Sequence, residues 1–438
     1  MLLSIDKLKL ANSNKVRLSE ASLEEFIRNT CDYFENLNLD SEKINPYDAV
    51  DVVSALAAFQ EYFESIAVWE RLALNALNAL QNGIKRSLFD KIASFSGITH
   101  IAFAINDLAF IAPKVAPFLN GINELLLKNL TAYLSISKVD GFYSEGNFEV
   151  IKGLSGPLSY LLTFNNNAHI EDVVDQIIDV LVKRSCDISI LNHKVLGWHY
   201  YPSAIEKEFM TEIPENGVVN YGLSHGMAGP LVVLSMAYNK GVRKEGLIEA
   251  IKKLISEYME AHYYINDIAY WPSRITFEQY VGLESRYKSQ TQMSWCYGSI
   301  AILRSLYISG VLISDNKTEQ FALKELLKIA EMNLSDYMLN QIIVCHGLAG
   351  TAAIVNAMYL DTGIRQFLDR AVEMIEICAK TNIKQFFEDE NRFALEYNVT
   401  SRARLHNHLE GYNGVLQTTL SILKGIYTRN DKRLLIVT

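Results

Sequence analysis

A four-residue motif, usually with glycine at one or both ends, recurs six times along this 438-residue chain and leads each time into an apolar run. The copies are Gly97-Ile98-Thr99-His100, Gly153-Leu154-Ser155-Gly156, Gly226-Met227-Ala228-Gly229, Trp295-Cys296-Tyr297-Gly298, Gly347-Leu348-Ala349-Gly350 and Gly411-Tyr412-Asn413-Gly414. Their fourth residues stand at 100, 156, 229, 298, 350 and 414, giving steps of 56, 73, 69, 52 and 64, each long enough for one helix out and one back. A seventh, degenerate copy falls within Val52 to Phe59. Helical hairpins that cannot each bury an apolar face stack side by side, and close into a ring when the rotation per repeat allows it. Glycine at the helix starts lets the ends crowd together at one rim, since no Cβ obstructs backbone approach. The helix N-termini gathered there point N–H groups and positive dipole ends into a shared cavity. One Gly-x-x-Gly would be only a loop signal, but six in phase with helix pairs predict an all-α fold, an α/α toroid.

The rest of the chain agrees. It has only eight prolines, and apolar residues recur at spacings of three and four over Ala49 to Tyr62, Val173 to Val182, Leu247 to Met259, Thr318 to Met332 and Arg365 to Ala379. The aromatic, turn-containing stretch from Ile188 to Val219, with Gly197-Trp198-His199-Tyr200-Tyr201-Pro202, breaks that pattern. It is read as a small non-helical, β-containing insertion at about 188–219 within a single domain over residues 1–438.

Composition excludes several classes. The net charge is -9, and lysine and arginine are scattered, so no basic stripe exists to neutralise nucleic acid. The start, Met1-Leu2-Leu3-Ser4-Ile5-Asp6-Lys7, lacks the features of a signal or transit peptide, so a cytoplasmic protein is expected. No run approaches the ~18 apolar residues of a membrane span. Any membrane contact is expected to be peripheral. Five cysteines, Cys31, Cys186, Cys296, Cys345 and Cys378, are too few and odd in number for a disulfide framework, so reduced thiols are expected.

Two motif copies carry the chemistry: Trp295-Cys296-Tyr297-Gly298, and Gly347 to Gly350 preceded by Cys345-His346. Two thiolates and an imidazole make the three-ligand set of a catalytic zinc site whose fourth position is left for water or substrate. The 49-residue separation of Cys296 and Cys345 is no local zinc signature, and works only if the repeats bring equivalent rim positions together. Packing cysteines beside a core histidine are the alternative. Cys31, Cys186 and Cys378 lie outside the copies and are read as packing or surface residues. A third copy carries His225 just before Gly226. There a histidine can exchange a proton near neutral pH, act as a fourth ligand, or cap the loop.

These residues resemble the LanC-type lanthionine cyclases. The resemblance rests on Phe148-Glu149-Val150-Ile151-Lys152-Gly153-Leu154-Ser155-Gly156, the segment Gly222 to Pro230, Trp295-Cys296-Tyr297-Gly298, Cys345-His346-Gly347-Leu348-Ala349-Gly350 and Leu409-Glu410-Gly411-Tyr412-Asn413-Gly414. It implies a toroid of about seven inner and seven outer helices, one Zn2+ ion on Cys296, Cys345 and His346, an acid/base role for His225, and Tyr297 close to the metal. It also implies a dehydrated precursor peptide as substrate, and a dehydratase and an ABC transporter as partners in a membrane-associated complex. The implied reaction adds a peptide cysteine thiol to dehydroalanine or dehydrobutyrine, closing a thioether ring. Zinc keeps a thiol of ordinary pKa near 8.5 deprotonated at neutral pH, and His225 protonates the α-carbon.

The chain departs from the family pattern twice. Glu149 stands where the family usually has Asp, which lengthens the carboxylate's reach, and Gln292 stands where it usually has Arg four residues before the first zinc cysteine. The second change removes a fixed positive charge from the developing enolate. Arg286 is the sequence's candidate to restore it if its loop folds inward. An active cyclase is therefore weighed against a zinc-bearing scaffold that has lost efficient chemistry. A prenyltransferase-like zinc enzyme ranks below both, because the chain offers no matching Asp-Cys-His set.

Overall fold

The computed structural model describes residues 21–28, 44–63, 65–137, 147–165, 167–201, 214–381 and 407–437. Cys31 and Pro202 lie outside the described residues. From Pro46 onward the α-helices of the first half are α1 (Pro46–Phe59), α2 (Ile66–Lys85), α3 (Ile98–Ile111), α4 (Ala116–Ser137), α5 (Ser155–Leu161) and α6 (Ala168–Arg184). Those of the second half are α7 (Ala228–Asn239), α8 (Leu247–Ala261), the short α9 (Phe277–Tyr280), α10 (Ser299–Ile313), α11 (Asn316–Glu331), α12 (Leu348–Thr362), α13 (Arg365–Lys380), α14 (Tyr412–Lys424) and α15 (Arg429–Arg433). The chain divides into two compact units, one of residues 1–90, 100–122 and 333–437, the other of 91–99 and 123–332.

Each expected helix-like run forms a helix, and each motif copy opens one: α3, α5, α7, α10, α12 and α14 start within or directly after the six copies. These six differ from their partners in what they bury. Ser299 to Gly310 of α10, Leu348 to Met358 of α12 and Tyr412 to Leu423 of α14 are buried at every position, so they are wrapped by protein on all sides. A helix buried all round is mostly apolar or small, and its few polar side chains, Arg304, Asn356 and Gln417 among them here, are buried with it. The partner helices keep one wet face. In α8 the buried positions are Leu247, Ala250, Ile251, Leu254, Ile255, Tyr258 and Ala261, the three-and-four spacing of a single apolar stripe. Polar caps fix several starts. Asn45 accepts from the Tyr47 amide at 3.1 Å ahead of Pro46, Asn167 accepts from His169 and Ile170, and Asp315 from Lys317 and Thr318.

In the first unit α1 pairs with α2 and α12 with α13, and α14 packs against both α12 and α1. The seam between α1 and α14 is polar: the Asn413 side-chain amide donates to the Asp51 carbonyl at 3.2 Å, and Gln417 to Ser54 Oγ at 3.5 Å. Asp51 also gathers a buried cluster. Its Oδ1 lies 3.0 Å from His100 Nε2, its Oδ2 accepts from Asn407 at 3.2 Å, and Arg433 approaches within 4.0 Å.

In the second unit α5 pairs with α6, α7 with α8 and α10 with α11, while α7 packs against both α5 and α10. Six three-residue strands form three antiparallel pairs: β1 (Ile188–Ile190) with β2 (His193–Val195), β3 (Val218–Asn220) with β6 (Arg274–Thr276), and β4 (Tyr263–Ile265) with β5 (Ile268–Tyr270). Strand structure thus extends to Thr276, beyond the stretch picked out by sequence. The β4–β5 turn uses Asn266 and Asp267 at positive φ, as a two-residue hairpin requires.

Candidate active site

Four of the loops that precede the motif helices share one closure. The amide after the motif's first glycine donates to a carbonyl seven residues earlier: Ile98 to Lys91 at 2.8 Å, Leu154 to Asn147 at 2.9 Å, Met227 to Asn220 at 3.0 Å and Leu348 to Gln341 at 2.9 Å. This geometry corrects the phase of the fourth copy. A Cβ on Gly298 would lie 1.8 Å from the Gln292 carbonyl oxygen, six residues back, and Gly347 meets the Gln341 carbonyl at the same spacing. Gly298 is therefore the counterpart of Gly347, three residues later than the sequence match places it. Its φ of +114° is one only glycine takes readily. In corrected phase His225, Tyr297 and His346 each occupy the position just before the glycine, and Cys296 and Cys345 the position before that.

Three of these loops are zipped together within the second unit. The Val150 amide donates to the Ser224 carbonyl at 3.1 Å, and the Leu223 amide to the Cys296 carbonyl at 3.1 Å. The Glu149, His225 and Cys296 segments thus lie edge to edge. Gly222 permits this, because a Cβ there would sit 2.7 Å from both the Cys296 carbonyl oxygen and the Tyr297 ring.

Glu149 is buried, 1 % exposed, and fully engaged. One oxygen accepts from the Ile151 amide at 3.1 Å and meets His225 Nδ1 at 2.6 Å; the other accepts from the Lys152 amide and from the Gly153 amide at 2.7 Å. The longer glutamate side chain thereby binds the amides of its own loop and the imidazole at once. With Nδ1 donating to a carboxylate, Nε2 is the proton-exchanging nitrogen. The His225 side chain is 35 % exposed, enough to reach a substrate.

Tyr297 lies beside Cys296, and its hydroxyl oxygen accepts from Asn220 Nδ2 at 3.2 Å and Arg274 Nη2 at 3.1 Å. Burial raises its pKa above the ordinary tyrosine value, with Arg274 and Asn220 pulling the other way. Asn220 and Arg274 face each other directly across the β3–β6 ladder. Sequence reasoning missed both, because a cross-strand pair 54 residues apart has no local signature (274 - 220 = 54). Arg286, the residue proposed to restore the lost charge, instead donates to the Gln279 carbonyl at 3.2 Å and the Tyr280 carbonyl at 3.4 Å on an exposed loop. Gln292 is half-buried, and its backbone carbonyl lies under Gly298.

Cys296 is buried, with Ser294 Oγ 3.6 Å from its sulfur, and belongs to the second unit. Cys345 and His346 belong to the first, where the Cys345 amide donates to the Leu409 carbonyl at 2.9 Å. Burial pushes the His346 imidazole below its usual pKa, favouring the neutral form that binds metals. Among the described residues no group of three or more His, Cys, Asp or Glu side chains is placed to hold a metal ion. The donor set of two thiols and one neutral imidazole is nonetheless of the type zinc takes. Of the cysteines outside the motifs, Cys186 is exposed and Cys378 is buried in α13, its thiol pushed well above the usual range by burial.

Hairpins whose inner helices begin at glycine loops, with chemistry-bearing side chains just before the glycines, define a class. The family model described as "Lanthionine synthetase C-like protein" matches residues 52–435, and the chain belongs to that family. Among curated proteins it is similar to the nisin biosynthesis protein NisC of Lactococcus lactis subsp. lactis, 25% identical over 310 residues that cover 69% of this chain and 70% of that one. Among solved structures it is similar to nisin cyclase, with a TM-score of 0.74 and 20% identity over 94% of this chain and 96% of that chain. That likeness shows the fold, which is the α/α toroid expected from the repeats.

Proposed function

We propose that this chain closes thioether rings in a dehydrated peptide by adding cysteine thiols to dehydroalanine or dehydrobutyrine. The observation that carries the reading is the His225–Glu149 pair, held on loops hydrogen-bonded to the Cys296 loop in a member of the lanthionine synthetase C-like family. Cys296, Cys345 and His346 would hold a zinc ion, whose charge would supply the means of keeping a peptide thiol deprotonated at neutral pH.

The chain's own residues do the rest. As the sulfur bonds to the β-carbon, the alkene electron pair moves onto the α-carbon and its carbonyl, and His225 Nε2 delivers a proton to the α-carbon. Glu149 fixes the ring's orientation and stabilises the imidazolium that precedes the transfer. Its own position is fixed by three backbone amides, so the pair needs little reorganisation during turnover. The alkene acceptor arises by loss of water from serine or threonine, so a dehydratase must act first.

The test is incubation of purified protein with a dehydrated precursor peptide, followed by counting free thiols. Loss of thiols faster than in the protein-free control supports the reading. Thiols that persist at the uncatalysed rate, with the peptide still bound, would favour a scaffold instead.

A further inference from the structure

We infer that Arg274, with Asn220, fixes Tyr297 as a hydrogen-bond donor to the carbonyl oxygen that gains charge during ring closure. Arg274 thereby supplies from strand β6 the positive charge that Gln292 does not. This inference rests on the cyclase reading given above.

A tyrosine hydroxyl has two acceptor lone pairs and one hydrogen. At Tyr297 both acceptor sites are taken, by Asn220 Nδ2 at 3.2 Å and Arg274 Nη2 at 3.1 Å. The two donors come from directly opposed residues of the β3–β6 ladder, which places their side chains on one face of the sheet. The hydroxyl hydrogen must therefore point away from that pair, and among the described residues no acceptor takes it. The backbone at Gly222 packs closely against the ring, where an added Cβ would lie 2.7 Å from Tyr297 Cδ1. The guanidinium carbon also stands 5.7 Å from the centre of the Tyr297 ring, so its charge is felt along the whole side chain.

A neutral O–H polarised by a cation, on the residue after Cys296, suits an oxygen whose charge develops only in the transition state. No proton leaves Tyr297. It donates a hydrogen bond while the sulfur–carbon bond forms and the alkene pair shifts to the carbonyl, and it relaxes when the α-carbon takes its proton from His225. Arg274 and Asn220 act through Tyr297 and are positioning residues.

The experiment is a double-mutant cycle on ring closure in a dehydrated precursor peptide, using R274Q, R274K, Y297F and R274Q/Y297F. Y297F should lower kcat about a hundredfold, as loss of one oxyanion donor does. R274Q should lower kcat about tenfold with KM unchanged, and R274K should recover most of that. In the Y297F background R274Q should cost under about twofold, because its route of action is gone. Tenfold losses from R274Q in both backgrounds overturn the inference and leave the cyclase reading intact. A wild-type protein no faster than the uncatalysed reaction overturns both. A readout without turnover guards against misfolding: the tyrosine Raman doublet in the wild-type minus Y297F difference spectrum, which reports how strongly that hydroxyl accepts. Removing Arg274 should shift it, and an unchanged doublet refutes the coupling.

Discussion

Replacing His408 by leucine should make the protein relatively more resistant to acid. His408 is buried, 2% exposed, and neither ring nitrogen has a hydrogen-bond partner among the described residues. Burial first, and then Arg433 and His100, push its pKa down to about 3, against an opposing pull from Asp51. The folded-state pKa is depressed, so the unfolded chain binds a proton on this residue below about 6.5 while the folded chain does not until about 3. The stability that depends on a neutral His408 is complete above the upper value and is lost as pH falls. At pH 5 the gap amounts to about 1.5 pH units, or roughly 2 kcal/mol. Asp107 works in the opposite direction. Burial raises its carboxyl to about 7 against Arg429 and Arg433, so its contribution is present in acid and lost as pH rises through 7. The wild-type curve alone therefore mixes two slopes, and the difference between wild type and His408→Leu separates them. Urea unfolding followed by circular dichroism at pH 8 and pH 5 should show that difference moving by about 2 kcal/mol in favour of the variant. Parallel curves, with a gap changing by less than about 0.5 kcal/mol, would refute the reasoning.

Glu149→Gln should lower the ring-closure rate by about a hundredfold, because the imidazole loses its anionic partner, and Glu149→Asp should retain more; steady-state kinetics decides. Gly298→Ala should destabilise the second unit by roughly 3 kcal/mol through its left-handed φ and the Gln292 carbonyl beneath it, read as a lower urea midpoint. Cys345→Ala should reduce bound zinc from about one ion per chain to a small fraction by elemental analysis, and equal zinc in both proteins would remove Cys345 from the ligand set.

The helices were legible because their two burial patterns leave different marks on a sequence. The one-sided stripe of Leu247 to Met259 is a periodicity, and the all-round burial of Ser299 to Gly310 is a run of mostly small and apolar residues broken by the buried Arg304. The glycine loops were legible as repeated words. Their register was not, since Trp295 to Gly298 looks like a motif in writing whereas the carbonyl under Gly298 sets its place in space. His225 was legible from its motif copy and Glu149 through the family resemblance, and their 2.6 Å contact joins residues 76 apart. What escaped depends on partners that no local pattern announces. Arg274 meets Tyr297 from a ladder position opposite Asn220, and Asp51 gathers His100, 49 residues away, and Asn407, 356 residues away.

The shared closure of the glycine loops has an evolutionary corollary. If a scaffold holds the residue before each glycine in the same attitude whatever its side chain, then chemistry can be exchanged there without rebuilding the loop. Serine, lysine and histidine already occupy that slot, at Ser96, Lys152, His225 and His346. The toroid then behaves as a row of equivalent sockets, and new reactions can arise by refilling one socket while its neighbours go on working.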